Sequence, residues 1–189
     1  MKTNNKILIF LVVFGVILFG IFKGIVMPQM AQSKQLDTIE QQDPVKHNFE
    51  SVLKYKNQYM GNASNLSNLF RSLPLSNIGV SFQLFPDTLT VDVNYKEAVD
   101  SIGEDKVNKA LIYNATAAFA LIDNLEAINF KFTGVSYKVL RSDVEKWFSV
   151  KLSTLAEKDT WKKTVQSKLD ENEYVLNCTK AVLHKNSSN

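Results

Sequence analysis

The sequence contains very little cysteine, histidine or glycine, and each shortage excludes a class of site. The single cysteine, Cys178, cannot form an intrachain disulfide and lies in no metal-ligand spacing. The two histidines, His47 and His184, have no cysteine or carboxylate at ligand or triad spacing. The seven glycines are scattered, so the chain has no phosphate-binding glycine loop. The sequence therefore indicates no catalytic residue, no metal site and no cofactor.

The chain beyond residue 27 also lacks net charge. Three of the 22 basic residues, Lys2, Lys6 and Lys23, lie in or beside an N-terminal apolar segment, which leaves 19 basic residues against 19 acidic ones in the remainder. Proteins that bind nucleic acids need a basic surface to replace the counterions around the phosphates. The neutral remainder therefore argues against a nucleic-acid partner.

A long apolar run at the N-terminus is the clearest feature that the chain does have. Residues 7–22 are all apolar or glycine, and the run resumes after Lys23 as far as Met27. As a helix, residues 7–27 are about 31 Å long, which matches the ~30 Å hydrocarbon core of a bilayer. Pro28 marks the predicted end of this helix. We predict that residues 1–27 are an uncleaved signal anchor that crosses the membrane once.

The charges beside this segment predict its orientation. Lys2 and Lys6 precede the apolar run, so the positive-inside rule places the N-terminus in the cytoplasm and the rest of the chain outside it. The alternative is a cleaved signal peptide and a secreted protein. The apolar run is slightly long for a signal peptide, and no small-x-small cleavage site follows it. We therefore expect a single-pass protein of the cell membrane.

Composition divides the rest of the chain into three parts. Residues 28–48 are polar and predict a stalk between the membrane and the folded domain. Residues 49–148 carry the strongest periodic patterns and predict an α+β domain. Residues 149–189 predict a mostly helical C-terminal extension packed on that domain, with a frayed polar tail after Lys185. Within the extension, residues 174–183 fit either a strand or a helix.

Alternating apolar residues predict two hairpins. Residues 80–84 and 89–95 alternate on either side of a Pro-Asp turn, and residues 128–132 and 135–139 do so around Thr-Gly. Between the hairpins, residues 104–125 carry a continuous apolar stripe at helical spacing. The predicted fold is α+β, with an antiparallel sheet built from two hairpins and helices packed on one face.

Four stretches together resemble a bacterial family known as domain of unknown function 4825. They are Tyr59-Met60-Gly61-Asn62, the run from Leu66 to Pro74, the strand Leu89–Tyr95, and Asn114–Phe132. The resemblance covers about residues 52–148. It implies a Gram-positive protein with this domain on the outer side of the membrane, where some relatives attach it to antirepressor-type regulatory membrane peptidases. The family has no assigned activity, so the resemblance implies a location and a fold, not a mechanism.

The loop from Tyr59 to Asn62 is the predicted ligand-binding site, with Tyr59, Gly61 and Asn62 as its residues. Gly61 permits a sharp turn, and Asn62 or Ser64 is a good cap for the helix that follows. Amides at a helix start favour an anionic ligand group, and Lys56 would add positive charge. The family usually has an acidic residue where this chain has Asn62. The alternative is that Asn62 only caps the helix and Tyr59 packs on the sheet.

These patterns favour a non-enzymatic module outside the cytoplasm that binds a ligand or partner, or senses one. Its expected partners are the membrane, through the N-terminal helix, and a cell-wall ligand or membrane protein. Two alternatives remain: a hydrolase of the cell envelope with a carboxylate site that sequence does not reveal, and a structural accessory of a membrane complex. Most aromatic residues are predicted to lie in the core, but Trp161, beside Lys162 and Lys163, could contact a partner.

Overall fold

The computed structural model describes residues 2–187, which divide into two compact units between Glu40 and Gln41. The first unit is helical and contains the apolar segment. Among the described residues, one helix, Phe10–Gln41, is long and apolar enough to cross a membrane by its length and composition. This agrees with the helix predicted from the apolar run.

The helix continues past Pro28, where the sequence predicted its end. Helix α1, Lys2–Ile21, leads through a π-helical turn, Phe22–Val26, into helix α2, Met27–Gln41. Proline has no amide hydrogen, and its ring clashes with the carbonyl four residues earlier in a regular α-helix. The wider π-helical turn directly before Pro28 relieves that crowding, because the amide of Met27 bonds five residues back to the carbonyl of Phe22.

The second unit begins at Gln41, although the sequence assigned residues 28–48 to a stalk. The side chain of His47 is only 2% exposed. The Gln166 amide donates hydrogen bonds to the carbonyls of Pro44, at 3.1 Å, and His47, at 2.8 Å. Residues 41–48 therefore pack as part of the folded domain. Sequence could not show this, because their partners lie about 120 positions later in the chain.

The second unit contains both helices and strands. The helices are α3 Ala63–Arg71, α4 Val99–Ile102, α5 Glu104–Leu121, α6 Arg141–Phe148, α7 Lys158–Trp161 and α8 Asn172–Val182. The π-helical turn Lys162–Gln166 and the 3₁₀ turn Ser167–Asp170 extend α7, and further 3₁₀ helices span Phe49–Tyr55, Ser76–Ile78, Pro86–Thr88 and Leu152–Ala156. The strands are β1 Val80–Phe85, β2 Thr90–Tyr95, β3 Ala127–Phe132, β4 Val135–Leu140 and β5 His184–Ser187. Residues 174–183, for which the sequence left two choices, are therefore mainly helical.

The five strands form one mixed sheet in chain order, not the purely antiparallel sheet predicted. Both predicted hairpins are present, as the antiparallel pairs β1–β2 and β3–β4. The two hairpins meet through β2 and β3, which run parallel. A parallel pair needs a crossover connection, and α4 and α5 supply it by carrying the chain back to the end of the sheet where β2 began.

The C-terminal tail contributes the fifth strand, where the sequence predicted frayed residues. Strand β5 pairs antiparallel with β4, and Tyr137 lies opposite Lys185. A polar tail forms a strand here because β4 would otherwise leave its outer row of amides and carbonyls unpaired. Backbone hydrogen bonds to β4 therefore form this strand, and no hydropathy pattern in the tail indicates it.

Helices cover one face of the sheet. The covered face is apolar and includes Val91, Val93, Ile128, Phe130 and Val139. The opposite face is polar, and one row across all five strands consists of Gln83, Asp92, Asn129, Lys138 and His184. On this face Asp92 is buried and bonds to the Asn129 amide and the Lys131 ammonium.

Helix α5 is buried on all sides over most of its length, beyond an exposed first turn. All of its residues from Ala110 to Leu121 are buried. Its cover away from the sheet comes from the C-terminal extension, in which the turn Leu152–Ala156 and helix α8 both pack on α5. A helix without an exposed face must be covered all round. The extension is therefore part of the same core.

We predict that Phe119→Ala lowers the free energy of unfolding by about 3–5 kcal/mol, the usual cost of removing a buried aromatic ring. Phe119 is only 1% exposed, and the Arg141 guanidinium lies 5.2 Å from the centre of its ring. Phe85→Ala is the matched control, because that ring is 37% exposed and its loss costs less, about 1 kcal/mol. Urea denaturation followed by tryptophan fluorescence measures both variants. Equal losses would show that the Phe119 ring is not in the core.

Candidate functional site

The predicted loop, Tyr59 to Asn62, is a surface turn fixed by side-chain caps. The Tyr59 amide donates to the Asn57 side-chain oxygen at 2.9 Å, and the Met60 amide donates to that of Asn124 at 2.6 Å. The Asn62 side chain caps α3 by accepting from the Asn65 amide at 3.1 Å. Several amides that an anion would use therefore already have protein acceptors.

The structure contradicts the alternative packing of Tyr59 and shows that the turn at Gly61 has ordinary geometry. The Tyr59 side chain is 65% exposed, so it does not pack on the sheet. Gly61 has no left-handed backbone conformation, and a Cβ at this position would meet open space. The turn therefore does not require glycine. An anion site at Tyr59, Gly61 and Asn62 stays a prediction, whereas the predicted capping of α3 by Asn62 is confirmed.

A buried cluster of hydrogen-bonded side chains surrounds His47. The Tyr113 hydroxyl lies 2.8 Å from His47 Nδ1, and the Ser72 carbonyl lies 2.8 Å from Nε2. A carbonyl only accepts, so Nε2 carries the proton of the neutral ring and Nδ1 accepts from Tyr113. The Trp161 indole in turn donates to the Tyr113 hydroxyl at 3.3 Å. While His47 is neutral, every hydrogen-bond donor in this cluster faces an acceptor.

Burial sets the charge state of this cluster. It lowers the pKa of His47, and the hydrogen bond to the Ser72 carbonyl opposes that effect only in part. Burial also raises the pKa of Tyr113. Both groups are therefore neutral near pH 7, and the cluster joins residues 41–48, α3, α5 and the C-terminal extension without a buried charge.

Trp161 belongs to this core cluster and is not the partner contact that the sequence suggested. Its side chain is fully buried and stacks on Phe49, with ring centres 3.7 Å apart. Tyr113 meets the same indole edge-on at 5.1 Å. The neighbouring lysines misled the sequence interpretation, because Lys162 and Lys163 point to solvent from the same helical turn that buries Trp161.

The other tryptophan, Trp147, lines a surface cleft of about 410 Å³. Helix α6, the extension of α7 and helix α8 together form its walls. The lining residues are Trp147, Phe148, Lys163, Thr164, Lys168 and Tyr174. Aromatic rings thus come from α6 and α8, and both ammonium groups come from the segment between them. We call this pocket the aromatic–lysine cleft.

Trp147 and Tyr174 contact each other directly in the cleft. The Trp147 indole donates to the Tyr174 hydroxyl at 2.8 Å, and the two rings meet edge-on at 5.4 Å. Partial burial raises the pKa of Tyr174 to about 12, so its hydroxyl keeps its proton at neutral pH. That hydroxyl already accepts from Trp147, which leaves its own proton for a ligand. Lys168 bonds to Glu171 at 2.9 Å on the rim.

Carboxylates gather in a second cavity, of about 360 Å³, at one end of the sheet. It is lined in part by Asp100, Glu104, Tyr137 and Lys185. Glu104 accepts from the Lys185 ammonium at 3.2 Å, so this carboxylate is held in an ion pair. Within residues 2–187, no group of three or more His, Cys, Asp or Glu side chains could hold a metal ion.

His184 has a carboxylate partner that the sequence did not suggest. Its Nε2 lies 2.7 Å from the Asp143 carboxylate, in a surface pair between β5 and α6. No spacing rule could reveal this contact, because 41 residues separate the two positions. The pair joins the last strand to the helix that also carries Trp147.

Comparison with known families identifies the central part of the chain. Residues 52–140 match the model of a family described as domain of unknown function (DUF4825). The chain carries a DUF4825 domain. This confirms the resemblance that the sequence indicated. The chain matches no curated protein and no solved structure.

The aromatic–lysine cleft lies outside the matched DUF4825 region. That region ends at Leu140 and contains both hairpins and α5, whereas the first lining residue of the cleft is Trp147. Sequence missed the cleft because its lining residues come from three separate helical segments. The one local clue was the pair Trp147-Phe148, with both rings at the end of a short helix.

We predict that the folded unit that begins at Gln41 loses stability as the pH falls from 7 to 5 and that His47 causes part of this loss. The folded-state pKa of His47 is lowered, so the unfolded chain binds a proton first as the pH falls through about 6.5. The stabilisation from neutral His47 is complete above that pH and is lost as the pH falls towards the folded-state pKa.

Urea denaturation at several pH values tests this, with His47→Gln as the comparison because its amide both donates and accepts without titrating. The variant should show a smaller loss of stability between pH 7 and pH 5 than the unaltered chain. Identical pH profiles for the two proteins would contradict the role of His47. A profile that rises as the pH falls would contradict the sign of the shift.

Proposed function

We propose that this protein is a membrane-anchored binding module that holds its DUF4825 domain outside the cytoplasm and takes up a ligand in the aromatic–lysine cleft. The N-terminal helix supports the anchor, because large apolar side chains such as Phe10, Phe14 and Phe19 are exposed along it. A bilayer shields such a surface, whereas water does not. Lys2 and Lys6 support the orientation through the positive-inside rule.

The aromatic–lysine cleft is the observation that carries the proposal. It combines a concave surface of three aromatic rings with two ammonium groups and a hydroxyl donor. Ligand sites are mostly apolar concavities with a few placed polar groups, and this cleft has that composition. The hydrogen bond between Trp147 and Tyr174 already orders two of its rings, which reduces the ordering cost of binding.

The lining chemistry selects an anionic ligand that has a flat or ring-shaped face. An aromatic side chain stacks on such a face, while Lys163 attracts a carboxylate or phosphate. Lys168 also lines the cleft, but its ammonium group is paired with Glu171. A sugar that carries an acidic substituent satisfies both requirements. The proposed ligand is therefore an acidic sugar unit, of the kind that an envelope polymer presents to a domain on the outer side of the membrane.

The lining also favours binding over hydrolysis. No Asp or Glu lines the cleft, and Glu171 reaches only its rim through Lys168. Glycoside hydrolysis uses two carboxyl groups on either side of the bond that breaks. The second cavity has two carboxylates, Asp100 and Glu104, and is the place for the alternative hydrolase site. Glu104 is already engaged by Lys185, so the binding module is the better supported proposal.

Calorimetric titration of the detergent-solubilised full chain tests the cleft with three small molecules. N-acetylmuramic acid supplies both a ring and a carboxylate, N-acetylglucosamine supplies the ring alone, and glycerol phosphate supplies the anion alone. We predict that N-acetylmuramic acid binds more tightly than either of the others. Lys163→Gln should weaken its binding about tenfold or more, since a hydrogen bond to a charged group contributes roughly 1.5–3 kcal/mol.

Lys162→Gln is the matched control, because it removes the same charge one position away and Lys162 does not line the cleft. It should leave the affinity unchanged. Equal losses in the two lysine variants would show that only general surface charge matters. No heat of binding with any of the three compounds at millimolar concentration would overturn the proposed ligand class.

A further inference from the structure

Strand β1 forms one edge of the sheet, and this edge is unusually unprotected. Its six residues, Val80–Phe85, include no charged residue and no proline. Soluble proteins usually protect such an edge with lysine, proline or a bulge, because its unpaired backbone groups accept another strand. The register of β1 with β2 is continuous over all six residues, so no bulge interrupts it.

The backbone groups that this edge offers can be identified from the hydrogen-bond pattern. The Lys96 amide donates to the Gly79 carbonyl at 3.2 Å, so residue 79 belongs to a hydrogen-bonded pair. Bonded and non-bonded pairs alternate along an antiparallel ladder. Ser81, Gln83 and Phe85 therefore bond to β2, while the amides and carbonyls of Val80, Phe82 and Leu84 point away from the sheet.

We infer that the β1 edge pairs antiparallel with β1 of a second copy of this chain, with Phe82 opposite Phe82. In that register Val80 lies opposite Leu84 of the other copy, and Ser81 lies opposite Gln83. The three outward-facing residues of each strand then meet each other in hydrogen-bonded pairs. Two five-stranded sheets become one continuous sheet.

The side chains of β1 complement themselves in this register. Val80, Phe82 and Leu84 lie on the helix-covered face and are each half-buried, so contact with their counterparts covers the part that is still exposed. Ser81 and Gln83 lie on the polar face opposite each other, and Phe85, exposed on the same face, lies opposite Gly79 of the other copy. The strand itself carries no charge; the Arg71 guanidinium lies over the Phe82 ring, 5.4 Å from its centre. A shift by one residue would place apolar side chains against polar ones.

Cysteine cross-linking in membranes that contain the full-length protein tests this pairing. In the variant Ser81→Cys with Gln83→Cys, each new thiol lies opposite a thiol of the second copy, and Cβ atoms in such a non-bonded pair are about 4.5–5.5 Å apart. Mild oxidation should then produce a disulfide-linked dimer on a non-reducing gel. Cys178 does not interfere, because it is buried and burial raises the pKa of its thiol to about 12.

The matched control is Ser136→Cys with Lys138→Cys, which has the same spacing on the polar face of β4, an inner strand. It should yield no dimer. A dimer in both variants, or in neither, would overturn the inference. A cross-linked product whose mass is not twice that of the chain would also overturn it, because the edge would then take a strand from another protein.

A charge comparison checks the register. Ser81→Lys with Gln83→Lys places like charges opposite each other across the two copies, whereas Ser81→Lys with Gln83→Glu places opposite charges there. Light scattering of the detergent-solubilised full chain should show monomers for the first variant and dimers for the second. Both positions are exposed, so both variants should fold, and thermal unfolding confirms this. The same mass for the two variants would contradict the proposed register.

Discussion

The complete burial of helix α5 from Ala110 to Leu121 is the constraint on which the rest of the domain depends. From Ala110 to Leu121 no residue of the helix faces solvent. A helix in this state needs cover on every side. The sheet covers one side, and the C-terminal extension covers another through the turn Leu152–Ala156 and α8. The matched DUF4825 region ends at Leu140, so this chain completes the cover of its central helix with residues beyond the matched region.

The same helix determines the sheet and the cleft. Because α5 returns the chain to the start of β2, the second hairpin joins the first in parallel, and β1 is left at an edge. The extension that covers α5 also brings Lys163, Lys168 and Tyr174 beside Trp147. The proposed ligand site and the proposed self-pairing edge are thus two consequences of how one apolar helix is buried. They lie on different elements and can be tested independently.

Local patterns in the sequence predicted most of the elements but few of their long-range contacts. Both hairpins and α5 follow from periodicity, since each depends on residues a few positions apart. The parallel β2–β3 pair, strand β5 and the burial of His47 depend on partners far along the chain. Trp147 and Trp161 show the same limit: each lies in a helical segment with lysine nearby, and only the packed structure shows that Trp161 is core and Trp147 lines a cleft.

Removal of residues 150–189 tests most directly whether α5 depends on the extension. The shortened chain keeps α5, both hairpins and α6 but loses Trp161, which packs on Phe49 and Tyr113. The expected result in a urea titration is the loss of a cooperative unfolding transition, because exposed apolar surface on α5 removes much of the net stability of a small domain. A shortened chain that unfolds cooperatively, at the same urea concentration as the full chain, would contradict the account.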